Sequence, residues 1–368
     1  MRRLCLISIA ISMLAACESA PDGPFVPERD ASGRWTAASA KRWYAAQPWL
    51  VGANFVPSTA VNELEMWQAD TFDPDTIDRE LGMAEGLGFN VARVFLHDLL
   101  WEQDPDGFKQ RIDQYLAIAD RHGIRTVLVL FDNVWNAESQ LGPQPAPIPG
   151  VHNSRWVQSP SQAETVGFPD QPETQARLEA YAKGIISAFA TDPRVLMWDL
   201  VNEPGNTGIQ LAALPLVDAA FAWAHELEPA QPLTAGPWIL PTKWELSTFL
   251  LDHSDIVTFH SYADVTTTNQ WIADLRAFSD RPQICTEWMA RTMDSRFETH
   301  LPMFRDEHVG AINWGLVSGK TQTIYPWLSP EGAPEPAIWF HDIFRPDGTP
   351  FDAAETELVT SIIAAANH

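Results

Sequence analysis

The chain has few cysteines and few basic residues for its length. Three cysteines occur in 368 residues, and 24 Lys and Arg stand against 48 Asp and Glu, which gives a formal net charge of -24 at pH 7. Nucleic acids and anionic membrane surfaces are bound by clustered cations, so we expect no nucleic-acid partner and no direct membrane contact. The acidity is typical of a protein kept soluble by its charge, and a neutral ligand fits it better than an anion.

Two of the three cysteines lie within the first 17 residues, so Cys285 has no partner for an intramolecular disulfide. We expect Cys285 to be a small buried apolar side chain. Stability must then come from the core, and a chain of this size that is 45% hydrophobic can supply it. The 16 tryptophans are more than packing needs, so some should line a site.

The amino-terminal apolar run is too short to span a membrane as a mature helix. It follows Arg2 and Arg3 and ends in Leu-Ala-Ala-Cys at residues 14–17, an order typical of export signals that also resembles the lipobox of bacterial lipoproteins. We predict a signal at residues 1–16 and a lipid anchor on Cys17. The anchor would be the protein's sole membrane attachment, in the cell envelope, and Glu18 after the cysteine favours the outer membrane. A plain secretory signal is the alternative.

The rest of the chain divides into a tether and one domain. Residues 17–34 are rich in Pro, Gly and charge and have no periodicity, which predicts a tether, and residues 35–368 predict a single catalytic domain without solenoid repeats. In this domain short apolar runs alternate with amphipathic stretches, the βα pattern. The runs are residues 49–56, 90–96, 125–132, 195–202, 232–236, 256–260, 283–287 and 310–314. Eight runs predict an α/β fold of the (β/α)8 TIM-barrel type. A three-layer open sheet is the alternative, although no glycine-rich phosphate loop is present.

The stretches between the runs predict helices and two long loops. Helices are predicted from the apolar face that precedes Gly123, from Pro172 to Phe189, and over residues 212–227 and 352–365. About forty residues separate the third run from the next helix, and loops of this length are usually functional. Side chains of this loop and of the loop after the eighth run are therefore candidates for shaping a binding site: His152, Asn153, Trp156, Gln158, Lys320, Gln322 and Trp327.

Polar side chains follow most of the apolar runs, and the active site of a (β/α)8 barrel lies at the carboxyl ends of its strands. The candidates at these ends are Asn54, Arg93, His97, Asp132, Asn133, Asn202, Glu203, His260, Tyr262, Glu287 and Trp314. Glu203 ends the fourth run and Glu287 the seventh, so two carboxylates face each other across one barrel mouth. Such a pair cleaves a glycosidic bond if one carboxyl is protonated and the other ionised. No H-x-H follows the first run, where a metal-dependent barrel hydrolase would have it, so we expect neither metal nor cofactor.

Five motifs occur in barrel order: GFNVARV (88–94), VNEP (201–204), FHSY (259–262), TEW (286–288) and INWG (312–315). Together they resemble clan A glycoside hydrolases, most closely family 5, which contains cellulases, mannanases and related β-glycosidases. The resemblance covers about residues 49–345. It implies hydrolysis of a β-linked oligosaccharide or polysaccharide, such as mannan, glucan or xylan, by a retaining double displacement. FDNVW (131–135) departs from the histidine-rich stretch of the cellulases and is closer to mannanase-like members.

The resemblance also implies residue roles. Glu203 would be the general acid/base and Glu287 the nucleophile, and Asn202 would hold the 2-hydroxyl of the sugar. Tyr262 would donate to Glu287, and Arg93 would keep it ionised. Further substrate contacts are expected from Asn54, Asn133, Trp156, Trp314, Lys320 and Trp327, with a monomeric protein and a carbohydrate as its partner.

Structural alternatives stay open for three of these side chains. Arg93 could be an ordinary ion-pair partner, His260 a hydrogen-bonded core histidine and Trp314 a packing residue. Two other functions also remain. A transglycosidase would share the covalent step and use a sugar acceptor in place of water, and a non-catalytic glycan-binding lipoprotein would not need the two glutamates that this chain keeps.

Overall fold

The computed structural model of the protein describes residues 25–238, 240 and 244–366. The predicted signal and Cys17 lie outside these residues. The strands are β1 (Val51–Asn54), β2 (Val91–Phe95), β3 (Arg125–Asp132), β4 (Val195–Asn202), β5 (Leu233–Thr234), β6 (Val257–His260), β7 (Gln283–Glu287) and β8 (Gly310–Trp314). The described helices are α1 (Ala37–Ala45), α2 (Glu63–Trp67), α3 (Pro74–Leu87), α4 (Asp98–Gln103), α5 (Pro105–Arg121), α6 (Gln162–Gly167), α7 (Pro172–Phe189), α8 (Leu214–Leu227), α9 (Glu245–His253), α10 (Val265–Phe278), α11 (Phe297–Asp306) and α12 (Ala353–Ala366).

The eight strands form one parallel sheet in the order β5-β4-β3-β2-β1-β8-β7-β6, and β1 pairs with both β2 and β8. Side chains join the two outer strands: the Thr234 hydroxyl donates to the carbonyl of Ile256 at 2.9 Å and lies 2.7 Å from the Thr258 hydroxyl. The sheet is therefore a nearly closed barrel with helices around it. The predicted (β/α)8 fold is confirmed, and the open-sheet alternative is wrong.

Four of the eight predicted strands have the observed bounds, namely β3, β4, β7 and β8. β5 has only two residues and is shorter than the predicted 232–236. The helix predicted over 212–227 begins at Leu214, after a 3-10 turn at Gln210–Ala213. α7 begins at Pro172 as predicted, because proline lacks the N–H that a first helical turn leaves unsatisfied. The long loop after β3 covers residues 133–161 and is shorter than predicted, since α6 follows it.

The segment predicted as a tether packs against the barrel from residue 25 onward. The Phe25 ring lies 5.3 Å from that of Trp35. Arg29 donates to the carbonyl of Pro229 at 2.7 Å, and Arg34 donates to that of Leu251 at 2.8 Å. Residues 25–34 therefore belong to the domain, and the tether prediction is wrong for them. Although the stretch is rich in proline, Phe25 packs on Trp35, and Arg29 and Arg34 bond to carbonyls in the segments that precede β5 and β6.

The barrel interior changes from apolar to charged along its axis. At the amino-terminal end Trp35 and Trp43 cover a buried cluster that includes Val127, Met197 and Ile312. Gly52 of β1 belongs to the strand wall, where a Cβ atom would lie 1.7 Å from the carbonyl oxygen of Val91, so no other residue fits. Nearer the carboxyl ends of the strands the interior instead holds buried charged side chains, which form the candidate site.

Two further observations concern predictions from composition. Cys285 is fully buried and free, so the prediction of a small buried side chain is confirmed, and burial raises its pKa well above the ordinary value. Within the described ranges no helix is both long and apolar enough to cross a bilayer.

Candidate active site

Glu203 stands on a strained turn directly after β4. Its φ is 44°, in the left-handed region that non-glycine residues rarely adopt, and Gly205 follows with φ 79°. Pro204 between them removes a backbone N–H and fixes its own φ, which stiffens the turn. The Asn206 amide donates to Oε2 of Glu203 at 2.7 Å. Strain of this kind concentrates at functional sites, and here it holds a carboxyl at the barrel mouth.

Glu287 ends β7 and receives two strong donors. Nη1 of Arg93 donates to its Oε1 at 2.9 Å, and the Tyr262 hydroxyl donates to its Oε2 at 2.9 Å. The Glu287 side chain is only 6% exposed. A guanidinium and a phenol on the two carboxylate oxygens both favour the charged form, and they fix the direction in which Glu287 points.

Arg93 of β2 is the centre of this network. Its guanidinium is fully buried and also donates to Asn54 Oδ1 at 2.8 Å, to Asn202 Oδ1 at 2.7 Å and to Asp199. Asp199, in the middle of β4, is fully buried and lies 2.8 Å from Nη2. Arg93 is therefore an ion-pair partner of Asp199 and a donor to Glu287 at once.

His260 lies between the two glutamates. Its Nδ1 is 2.7 Å from Glu203 Oε1 and 3.5 Å from Glu287 Oε2, and it is 4% exposed. One carboxylate oxygen of each glutamate and one nitrogen of His260 lie within 4.8 Å of one another. Among the described residues these are the side chains close enough to hold a metal ion. Because Arg93 and Tyr262 already occupy the Glu287 oxygens, the set fits substrate chemistry better than metal ligation.

Burial shifts the protonation of these groups. It raises the pKa of Glu203 to about 7, against the opposing effects of the Asn206 hydrogen bond and the Arg93 charge. It also raises the pKa of Glu287, a shift that His260 and Arg93 counteract. Burial lowers the pKa of His260 to about 4, so the imidazole is neutral at physiological pH. Glu203 is thus able to carry a proton near neutrality. The expectation of a lowered pKa for Glu287 is wrong, because burial and the nearby Glu203 charge outweigh the lowering by His260 and Arg93.

The two glutamates line a cleft of about 570 Å³. Aromatic side chains form much of its surface: Trp135, Trp156, Trp238, Tyr262, Trp314 and Trp327. Apolar ring faces suit the C–H faces of a sugar, while the glutamates and amides between them suit its hydroxyls. The cleft therefore has the composition of a carbohydrate site.

Three of the predicted substrate contacts line the cleft, and two lie beneath it. Trp156, Trp314 and Trp327 line the cleft, and Trp156 also donates through Nε1 to Asp132 at 2.7 Å. Asn54 and Asn133 are corrected to supporting residues. Asn54 donates to the carbonyl of Thr286 at 2.8 Å and accepts from Arg93, and the buried Asn133 bonds to Gly205 and Thr165, beneath the turn of Glu203.

Lys320 is outside the cleft, which corrects its predicted role. Its ammonium pairs with Glu65 of α2 at 2.7 Å. Gln322, also a candidate, bonds to the backbone of the other long loop. Gln158 is fully buried and donates to the Trp135 carbonyl and the Thr207 hydroxyl, and His97 caps α4. These four polar side chains support loops, and His152 and Asn153 do line the cleft as expected.

Several site residues escaped the sequence analysis. Asp199 interrupts an apolar strand, and that interruption was a usable signal of a buried ion pair. Asn206 stands three residues after Glu203, at the spacing at which one turn brings side chains together. Trp238 and His341 lie on loops, and nothing in their local sequence distinguishes them from surface aromatics. Trp135 ends the FDNVW stretch that was compared with mannanase-like members, although it was not itself named as a candidate.

The chain resembles β-mannan-degrading enzymes in parts of its sequence and throughout its fold. No family profile matches it. A probable mannan endo-1,4-β-mannosidase A-2 of Aspergillus terreus is 27% identical over 133 residues, 36% of this chain and 30% of that relative. The chain thus spans less than a third of that relative's length.

Solved structures share the whole barrel. The endo-β-1,4-mannanase of Thermotoga petrophila superposes with a TM-score of 0.57 at 15% identity, over 88% of this chain and 78% of that one. An exo-β-1,4-mannosidase of Opitutaceae bacterium strain TAV5 gives a TM-score of 0.60 at 19% identity, over 92% and 62%. At such identities the likeness establishes the (β/α)8 fold.

Proposed function

We propose that the protein is a retaining β-glycoside hydrolase that acts on β-linked mannosides. The single observation that carries the proposal is the placement of Glu203 and Glu287, whose nearest oxygens lie within 4.8 Å of each other. Retaining enzymes hold their carboxyl groups about 5 to 5.5 Å apart, whereas inverting enzymes leave about 6.5 to 9.5 Å for a water. The mannoside preference is supported by the named relatives and by the Asn-Trp spacing after β3.

In the first step Glu203 donates its proton to the glycosidic oxygen while Glu287 attacks the anomeric carbon. The bond from that carbon to the leaving sugar breaks, and a glycosyl ester on Glu287 forms. Arg93 and Tyr262 hold the attacking carboxylate in line. Asn202, fixed by its bonds to Arg93 and Asp132, presents its amide to the 2-hydroxyl, where contacts strengthen toward the transition state.

In the second step Glu203 removes a proton from water, and the oxygen of that water attacks the anomeric carbon of the ester. Glu287 leaves as a carboxylate, so two inversions give net retention. Glu203 must be deprotonated to act as a base in this step, and its pKa of about 7 allows that form near neutral pH.

Retention is tested by proton NMR of the first product. Hydrolysis of a nitrophenyl β-mannoside or of a β-1,4-mannan oligosaccharide should release the β anomer first, before mutarotation. Initial appearance of the α anomer would exclude Glu287 as a nucleophile. Turnover of glucosides or xylosides in preference to mannosides would overturn the substrate class and leave the mechanism standing.

The pH dependence should follow Glu203. Activity requires its protonated form, so kcat/KM should fall as pH rises through about 7. Asn206→Ala removes a hydrogen bond that stabilises the Glu203 anion, so the pKa should rise and the alkaline limb should move to higher pH. The measurement is kcat/KM from pH 4 to 9 for both proteins. A limb that moves to lower pH, or does not move, contradicts the assignment of this limb to Glu203.

We further propose that the protein is anchored in the cell envelope by lipid on Cys17. The proposal is supported by the lipobox-like Leu-Ala-Ala-Cys after a basic, apolar start. Cys17→Ser should shift the protein from the membrane fraction to the soluble periplasmic fraction, and mass spectrometry should show the loss of the acyl mass. Equal membrane recovery of Cys17→Ser and the parent protein would refute the anchor.

A further inference from the structure

Loops after β1, β3 and β8 bond to one another on one side of the cleft. We call residues 148–156 and 319–341 the loop wall. Across it the Asn153 N–H donates to the carbonyl of Thr321 at 2.9 Å, and that of Gly332 donates to Pro149 at 2.7 Å. The Lys320 N–H reaches the carbonyl of Ser58, in the β1 loop, at 3.1 Å. Because β2 and β1 lie between β3 and β8, the wall stands over the ends of these two strands.

Gln322 fastens the two halves of the loop wall. Its Oε1 accepts from the Gly150 N–H at 2.9 Å, and its Nε2 donates to the carbonyl of Ile148 at 2.7 Å. The His152 ring adds a bond from Nδ1 to the carbonyl of Tyr325 at 2.8 Å. These contacts join residues more than 170 positions apart in sequence and use backbone groups on both sides, so the two loops are held together as one structural unit.

The loop wall lies next to Glu287. The ring of Tyr262, which donates to Glu287, lies 4.9 Å from that of Trp327 and 5.5 Å from that of His341. The wall therefore begins one side chain away from the attacking carboxylate. Glu203, by contrast, bonds to Asn206, on the loop that follows β4. The sugar bound to Glu287 would sit against the wall, and the leaving sugar would lie on the side of Asn206.

The face that the loop wall turns to the cleft carries polar atoms without partners. Asn153 is 1% exposed and lines the cleft, yet neither its amide nitrogen nor its oxygen has a hydrogen bond within the described structure. Its φ of 45° lies in the left-handed region, which asparagine adopts more readily than most residues, and this backbone conformation sets the direction of the side chain. His341 bonds through Nδ1 to the Met289 carbonyl, which leaves the Nε2 lone pair, also buried and unpartnered.

A donor, an acceptor and an imidazole lone pair on a fixed wall match the hydroxyls of a sugar ring, and such buried groups are costly to leave unpaired. We infer that the loop wall receives the non-reducing terminal sugar of the substrate, and that the protein releases sugars one at a time from that end. An internal sugar would have to carry its chain through the wall. This rests on the proposed retaining cleavage and adds which glycosidic bond of the substrate is cleaved, namely the one next to the non-reducing end.

The reaction consumes one water for each sugar released. The terminal glycosidic bond breaks, the water supplies the hydroxyl of the freed monosaccharide, and the shortened chain gains the proton at its new terminal hydroxyl. No oxidant or further reactant is needed.

A mannopentaose linked β-1,4 and reduced at its reducing end with borodeuteride tests the position of cleavage. Mass spectrometry of the early products should show free hexose with the reduced tetramer, then the reduced trimer. Reduced dimer and trimer without free hexose would overturn the inference and leave the hydrolase proposal intact. If neither this substrate nor any activated β-glycoside is cleaved, and no glycosyl ester forms on Glu287, the proposed function fails with it.

Two variants of the loop wall sharpen the test. Asn153→Gly keeps the positive φ and removes the amide, so KM for the pentasaccharide should rise about tenfold, with a smaller change in kcat. Gln322→Ala removes the fastening without touching the cleft, and internal cleavage products should then appear early. Glu357→Ala, on the exposed face of α12 and outside the loop wall, is the control and should keep the parent's products and KM. An unchanged KM in Asn153→Gly, with thermal unfolding like that of the parent, contradicts the role of Asn153.

Discussion

Glu287→Ala should lower turnover of a dinitrophenyl β-mannoside by a factor on the order of 10⁶, a loss comparable to removal of the nucleophile in other covalent hydrolases. No glycosyl ester can form without this carboxylate. Added azide could at most attack the substrate directly from the opposite face, which gives the α-glycosyl azide. Intact-mass measurement should find no trapped sugar on this variant.

Glu203→Ala should behave differently with the same substrate. Loss of general acid help costs about 10² to 10⁴ with an ordinary leaving group, but dinitrophenolate needs little protonation to leave. The glycosyl ester should still form and accumulate, because water now lacks its base. Azide needs no base, so it should speed turnover and yield the β-glycosyl azide.

Glu173→Ala, at the exposed start of α7, is the control and should match the parent. A β-glycosyl azide from Glu287→Ala, or a trapped sugar on that variant and not on Glu203→Ala, would reverse the two roles. Equal losses in both variants without any azide effect would point to a carboxylate pair that does not form an ester.

The barrel and both glutamates could be predicted because burial leaves a strong pattern. A parallel strand covered on both faces is a continuous apolar run, and β3 and β4 end at the polar residues Asp132 and Asn202, where these runs stop. Residues at those ends must meet at one mouth. The position at the end of a strand also led to the prediction that Asn54 and Asn133 contact the substrate. That position does not distinguish a side chain that faces the cleft from one that lies beneath it, because the difference depends on which neighbours form its hydrogen bonds.

The loops were less predictable for a physical reason. Their length marked them as functional, yet their conformation depends on contacts between residues far apart in sequence, such as Gly150 with Gln322. Lys320 and Gln322 are two residues apart, and one faces Glu65 while the other fastens the loop wall. Sequence patterns with periods of 2 or 3.6 residues carry no information on such a choice.

Arg93→Met should reduce the free energy of unfolding by about 3 to 5 kcal/mol, the range for removing one partner of a buried ion pair. Asp199 would be left fully buried with neither Arg93 bond. Urea unfolding of the parent and the variant measures the change. Activity should also be lost, since Glu287 loses its guanidinium donor.

The pH dependence of this variant has a definite sign. Burial already raises the pKa of Asp199, and Arg93 lowers it in the parent, so without Arg93 the pKa should rise further. A pKa raised in the folded state means that the fold binds the proton more tightly than the unfolded chain. Stability is then highest below the unfolded pKa and is lost as pH rises through the folded one. Arg93→Met should therefore be less destabilised at pH 5 than at pH 8.

The double variant Arg93→Met with Asp199→Asn separates folding from catalysis. With both charges removed, residue 199 no longer carries a buried charge without a partner, so most of the lost stability should return. Activity should not return, because Glu287 still has no cation to hold it in line. Asp199→Asn alone should keep the Arg93 bond to Glu287 and a substantial part of the activity. If the double variant recovers activity together with stability, Arg93 serves only the ion pair with Asp199. Its contact with Glu287 would then have no part in the chemistry.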